Sequence, residues 1–260
     1  MNYQIGLKLF SRNTGAIGIA QELFANGYFD YIELLALPGS FRGTVSNWLK
    51  LNVPYVIHAP HELYGLNLAD KDLRRSNQKI FAEAAAFADK LKAREIIIHP
   101  GLKGDHRETA KQLSALNDDR LLVENMPFIS LLETKCVGCT PAEIGELKRV
   151  AGVGFCFDVA HAVKAAFAFG QDYLGNAERY LALRPAIIHI CDTSIGGCFD
   201  EHLALGKGKI DFRRLSGLVR RRLKTVKITL EIPERSYKTL EVFKENSIMI
   251  KKLLAGAQNQ

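Results

Sequence analysis

No stretch of 18 or more apolar residues occurs in the 260-residue chain, so nothing in it reads as a membrane span. The amino terminus, MNYQIGLKLF, has neither the basic head nor the small-residue cleavage site of a signal peptide. Cysteine is sparse and odd in number, five in all, which excludes a disulfide scaffold and favours free thiols. A cytoplasmic location is therefore expected. No linker, low-complexity stretch or shift in composition breaks the chain, and 47% hydrophobic with 24% charged residues excludes intrinsic disorder. The net charge of +7 is a mild bias toward anionic partners such as nucleic acid or phosphorylated sugars. Much of the excess lies in Arg213, Arg214, Arg220, Arg221, Arg222, Lys224 and Lys227, which read as a solvated helix face.

What is present is an alternation. Short β-branched or aromatic runs at residues 3–9, 29–35, 55–58, 95–99, 120–124, 154–158, 186–189 and 227–231 predict eight strands. Helical periods follow at residues 15–26, 45–51, 72–91, 106–116, 141–150, 176–183, 211–222 and 237–254. Thr140-Pro141 with Glu143 is a capping box with a first-turn proline, and Asp70 and Asp72 precede the longest helix. Several strands are apolar on both faces, the mark of a parallel sheet covered by helices. Eight such units favour an α/β fold of the closed (β/α)8 TIM-barrel type, one domain over residues 1–260.

The chemistry sits at the strand ends. Strand four ends in His99 (IIIHPG), five in Glu124 (LLVENMP), six in Asp158 (FCFDVAH), seven in His189 (IIHICD) and eight in Glu231 (ITLEIPE). Strand three ends in His58, with His61 just beyond (VIHAPH). The seven His and 28 Asp and Glu are about an eighth of the chain, so six such ends in succession are not a chance expectation. In a parallel barrel these ends converge on one mouth. Carboxylates and imidazoles crowded there repel or desolvate one another unless divalent cations neutralise them. Mixed nitrogen and oxygen donors suit Zn²⁺, with Mn²⁺ or Fe²⁺ as alternatives. Asp158 and His161, at i and i+3, both face the mouth from the start of a post-strand turn. Asp200 and His202 point to one side of an extended loop on either side of Glu201. Nine donors exceed what one ion needs and suggest two or three, the usual equipment for phosphoester displacement.

In order along the chain, APHELYGLNL, HPG, VEN, FDVAHA, IHICD, DEHLALGKGKI and LEIPE resemble the xylose isomerase-like TIM barrels, and within them the endonuclease IV branch. The resemblance implies three zinc ions that hydrolyse a phosphodiester in abasic or damaged DNA. His61 and His99 would hold one ion, Glu124 would bridge to a second completed by Asp158, His189 and Glu231, and His161, Asp200 and His202 would hold the third. Tyr64 matches a DNA-contacting tyrosine, Arg42 falls in a loop used for the minor groove, and the Gly206-Lys207-Gly208 loop would bring Lys207 near a substrate phosphate. Two features depart from the pattern: residues 35–48 are a shorter loop, and Gly65 stands where the family carries a bulky apolar wedge.

The quartet Glu124, Asp158, His189 and Glu231 also serves single-metal sugar or sugar-phosphate isomerases and epimerases of the same superfamily. These use Mn²⁺ or Mg²⁺, with the two glutamates moving protons. Glu124 and Glu231 are thus the candidate catalytic carboxylates on either reading. His61, His99, Asp200 and His202 are the residues that a single-metal enzyme does not need as ligands. A non-catalytic metabolite-binding barrel is a third class. His58 reads as a supporting or core histidine, Glu33 as a substrate contact of the isomerase kind, and His106 as exposed. Cys136 and Cys139 form a lone CxxC, too little for a structural zinc site. A redox role would need the nearby helix start to lower a thiol pKa. Cys156, Cys191 and Cys198 are expected to be buried near the site. Tyrosines and phenylalanines are spread rather than clustered with basic residues, so no separate nucleic-acid module, and no obligate protein partner, is inferred.

Overall fold

The computed structural model describes residues 1–256. Its eight strands are Asn2–Phe10 (β1), Tyr31–Leu35 (β2), Tyr55–His58 (β3), Ile96–Ile98 (β4), Leu121–Glu124 (β5), Gly154–Asp158 (β6), Ile187–Ile190 (β7) and Thr225–Leu230 (β8). All neighbours pair in parallel, and β1 pairs β8 to close a barrel in chain order. Helices Ile17–Ala25 (α1), Phe41–Trp48 (α2), Arg74–Leu91 (α3), His106–Leu116 (α4) and Pro141–Ala151 (α5) surround the first half. Val159–Ala168 (α6), Tyr173–Ala182 (α7), Phe212–Arg222 (α8) and Glu241–Ala255 (α9) surround the second. The chain is a TIM barrel. None of these helices is long and apolar enough to cross a membrane.

The count of helices corrects the sequence reading, which has eight. Helix α6 stands where the sequence predicts only a turn. It starts directly from β6 with Asp158 as its cap, the carboxylate accepting from the His161 N–H. Its residues 159–166 are all buried, so it carries no polar face from which a helical period could be read. Helix α5 opens as expected, with Thr140 and Glu143 forming a reciprocal capping box.

The strands alternate with period two, and the alternation builds the site. Outward residues such as Ile5, Ile32, Ile57, Ile96, Phe157 and Ile228 pack under the helices. Inward, the lower layer is apolar: Tyr31, Val56, Ile97, Leu122, Cys156 and Ile187. Two residues further along each strand the inward position carries Glu33, His58, His99, Glu124, Asp158 or His189. The register pairs Leu35 with His58 and Asp158 with His189, so these groups stand at one level above an apolar plug. Gly6 makes that plug possible. A Cβ there would lie 2.4 Å from the Tyr31 ring, which crosses the interior to reach Thr229 Oγ1 at 2.7 Å.

Candidate metal centre

All nine donors named from the sequence come together at the barrel mouth. Glu124 is the hub. Its Oε2 lies 3.3 Å from His58 Nε2 and 3.5 Å from His99 Nε2, while Oε1 lies 3.3 Å from His161 Nδ1 and 3.4 Å from His189 Nδ1. His189 Nδ1 is also 3.9 Å from Asp158 Oδ2 and 3.4 Å from Glu231 Oε1. Asp200 Oδ2 sits 3.5 Å from His161 Nε2 and 3.1 Å from His202 Nδ1, and His202 Nε2 is 3.3 Å from Glu231 Oε2. His61 stacks on His99, with ring centroids 5.4 Å apart.

Four imidazoles have one nitrogen tied into the wall. His58 Nδ1 donates to the Ala59 carbonyl at 2.7 Å, and His161 Nδ1 to the Asn125 carbonyl at 2.8 Å. His99 Nδ1 donates to Glu62 at 3.0 Å, and His189 Nε2 to Glu33 at 2.9 Å. An oxygen acceptor fixes which nitrogen carries hydrogen and leaves the other free to ligate. In all four rings that other nitrogen faces a carboxylate.

A test of fit for cations comes from unsatisfied atoms. Among the described residues His61 Nδ1, Asp158 Oδ2, His189 Nδ1 and Asp200 Oδ2 are buried without a hydrogen-bond partner. Each such atom costs about 1–3 kcal/mol if left bare. Glu124, Asp158, His189 and Glu231 present donors close enough to share one ion; so do His58, His99 and Glu124, and Cys191, Asp200 and His202. Tetrahedral ligation at about 2.0–2.2 Å sets ligand atoms roughly 3.3–3.6 Å apart, the range of most of these separations. The residues fit divalent ions.

The electrostatics agree. Burial opposes charge on His99, but Glu124 and Glu62 reverse it and hold its pKa up at about 9. Burial is likewise outweighed at His161 by Asp158, Glu124 and Asp200, which raise it to about 10. Burial pushes His58 down to about 4 and His61 to about 3, helped by the positive charges of Lys8 and His99. These two rings stand neutral. Asp158 is raised by burial and by the like charges of Asp200 and Glu124, against the pull of His161. Glu124 stays well below the usual carboxylate range because His189 and His99 outweigh its burial.

Several expectations change. His58, read from the sequence as supporting, belongs to the donor cluster around Glu124. Glu33 is fully buried beneath the site, where it binds His189, Thr229 and Lys8 and is not among the residues that line the mouth cavity. The glycine loop is not a phosphate cradle: the N–H groups of Gly206 and Gly208 donate to Asp192 Oδ2 at 2.9 and 2.8 Å. A Cβ on Gly208 would stand 2.3 Å from the Asp192 carboxylate, so glycine is needed for that close approach. Lys207 and Arg42 are exposed and absent from the cavity lining, whereas Tyr64 lines it edge-on to His61, 4.9 Å between centroids. His202 has φ of +46°, so the loop to Asp200 is not extended there, although the two side chains still meet. Cys198 is exposed, while Cys156 and Cys191 are buried as expected. Cys136 and Cys139 are unpaired; burial raises both thiols, with Glu143 helping to take Cys139 to about 12, so the helix start lowers neither. His106 is partly exposed and meets Glu146 at 2.9 Å.

Sequence reasoning missed Lys8 and Glu62. Lys8 pairs with Glu33 at 3.1 Å and with Glu231. It is the only Lys or Arg among the described residues lining the cavity, which measures about 390 Å³. Its signal was available: it lies two residues after Gly6 on β1, the same inward step that places the other donors.

The family model described as xylose isomerase-like TIM barrel matches residues 29–253. A probable endonuclease 4 of Aquifex aeolicus is 26% identical over 192 residues, 64% of this chain and 66% of its own length. Endonuclease IV from Thermus thermophilus superposes with a TM-score of 0.72 at 24% identity, covering 98% of this chain and 100% of that one. A D-tagatose 3-epimerase-like protein superposes with a TM-score of 0.74 at 19% identity, covering 97% of both. At those identities the two solved structures attest to the fold alone.

Proposed function

The chain belongs to the xylose isomerase-like TIM barrel family, and from that premise we propose that it is a metal-dependent phosphodiester hydrolase cleaving DNA at abasic or damaged sites. One observation carries the reading: four wall-anchored imidazoles and four carboxylates surround the mouth, more donors than the three or four one ion takes. His61 and His99, with His58 beside them, would hold one ion and share Glu124 with a second held by Asp158, His189 and Glu231. His161, Asp200 and His202 would hold a third. Zinc suits this donor set, and such ions supply an activated water at neutral pH and neutralise charge on the phosphoryl group.

The chain's own residues do the rest. Lys8 binds the negative charge of the phosphate, and Glu62 and Glu33 orient His99 and His189. Tyr64 packs against the sugar at the mouth. Leu63, on the same turn as Gly65 and 48% exposed, offers the apolar bulk that Gly65 lacks. Apolar walls that include Phe10, Met126 and Ile232 keep bulk water out.

A second reading, a single-metal sugar or sugar-phosphate isomerase or epimerase, is favoured by the same cavity. About 390 Å³ suits one sugar better than a long groove, and Glu124 and Glu231 would then exchange protons with a substrate carbon. Metal analysis and an abasic-site oligonucleotide separate the two. The hydrolase is expected to hold two or three ions per chain and to nick the strand, and Glu124→Gln to abolish nicking. One Mn²⁺ or Mg²⁺ without nicking would move the assignment to the isomerase.

A further inference from the structure

Five of the nine donors, His99, Glu124, Asp158, His189 and Glu231, lie at strand ends or one residue beyond, and His61 and His161 follow their strands by three residues. Asp200 and His202 lie further off: they follow the end of β7 at Ile190 by ten residues or more, in the loop leading to α8. A backbone bridge between Asp192 and Leu203 closes the loop's base, and the part between is held by a buried lysine from another element. Helix α6 presents Asp158, His161 and Lys164 at successive three-residue steps. The Lys164 side chain is 1% exposed. Its Nζ donates to Ser194 O and Oγ at 3.0 Å each, to Gly196 O at 2.9 Å and to Glu201 Oε2 at 3.0 Å.

Every one of those acceptors belongs to the loop. Glu201 sits between the two donors, and its Oε2 also accepts from Thr193 Oγ1 and the Ser194 N–H, each at 2.7 Å. Residues 193–201 are thereby closed into a ring around one carboxylate oxygen. His202 then turns with φ of +46°, a conformation that a non-glycine residue keeps only where its surroundings impose it. A buried ammonium is costly unless fully paired, and here the pairing goes wholly to this loop.

We propose that Lys164 and Glu201 form an internal clamp that positions Asp200 and His202 against His161 and so assembles the outermost cation position. Neither is a ligand; both are positioning residues. The inference rests on the multi-metal reading above. It makes that position depend on an ion pair between α6 and the loop, whereas the deeper positions depend on the barrel.

The test is a Zn²⁺ titration of the EDTA-treated full chain by calorimetry, with bound metal counted by mass spectrometry. Wild type is compared with Lys164→Met, Lys164→Arg and Glu201→Gln. The last-filled ion is expected to bind at least tenfold more weakly in Lys164→Met and Glu201→Gln, with the tighter ions unchanged, and Lys164→Arg to recover part of the loss. Such unequal loss is a readout that a general loss of fold would not give. Equal weakening at all positions, or none at any, overturns the clamp. If Lys164→Met does not fold, Glu201→Gln decides alone, because its side chain is 40% exposed. A wild-type chain holding a single ion would instead bring down the multi-metal reading, and the clamp with it.

Discussion

Stripping divalent ions should make the stability of this chain fall at alkaline pH. The cause lies in His99 and His161, whose carboxylate neighbours hold them at about 9 and about 10 against an ordinary value near 6.5. A pKa raised on folding contributes stability that is complete below the unfolded value and is lost as pH rises through the folded one. The window is therefore about pH 6.5 to 10. At 1.36 kcal/mol per unit, His99 contributes on the order of 3 kcal/mol and His161 somewhat more, not additively, because both answer to Glu124. Glu62, held down at about 2 by His99 and His61 despite its burial, has the opposite sign: its contribution is lost as pH falls below about 4.5. His189 is likewise held well above the ordinary value, Cys156, Glu33 and Glu124 outweighing its burial, and ions compete for these same nitrogens, so loading near pH 7.5 should release about three protons. The affinity taken over all ions should then rise about a thousandfold per pH unit between 7 and 9. His58 and His61, already neutral, add none. Melting curves in EDTA across the pH range, and calorimetric loading in two buffers of different ionisation enthalpy, measure both effects. A metal-free chain with a flat melting temperature from pH 6.5 to 10, or loading without proton release, would refute the reasoning.

Glu62→Gln removes the charged acceptor of His99 Nδ1 and is expected to weaken ion affinity about 10–100-fold; unchanged zinc titrations would detach Glu62 from the site. Lys8→Met should raise KM for an anionic substrate at least tenfold while bound metal stays constant; an effect confined to metal content would assign Lys8 to ion balance alone. Gly208→Ala forces a methyl to within 2.4 Å of the Thr193 carbonyl as well as against Asp192, and should cost about 1–3 kcal/mol by urea denaturation. A neutral result would mean that the loop moves freely there.

The barrel is legible in the sequence because eight strand periods alternate with helical ones, and the donor types are legible because strand ends converge. Helix α6 is not, since a helix whose residues 159–166 are all buried carries no amphipathic signal. The anchoring of the imidazoles is hidden for a different reason. Glu33 reaches His189 across 156 residues and Glu62 reaches His99 across 37, so the first pairing exists only after closure of the barrel and the second only once β3 and β4 pair. The glycine loop misleads because its expected place near a substrate phosphate leaves out Asp192, an internal anion that takes its N–H groups. Arg42 and Lys207 mislead because a basic residue in a mouth loop need not face the mouth.

Charge ties the number of ions to the kind of substrate. Glu33, Glu62, Glu124, Asp158, Asp200 and Glu231 surround a site whose one fixed cation among the described residues is Lys8, which leaves five negative charges uncompensated when the histidines are neutral. One divalent ion leaves three of them, and a phosphodiester entering that field would be repelled. Two ions leave one. Three ions reverse the sign by a single unit, enough to welcome one phosphodiester charge. A neutral sugar is indifferent to this arithmetic and an anionic strand is not. The count of ions held at neutral pH, with His99, His161 and His189 deprotonated by loading, thus separates an anionic substrate, strand or sugar phosphate, from a neutral sugar.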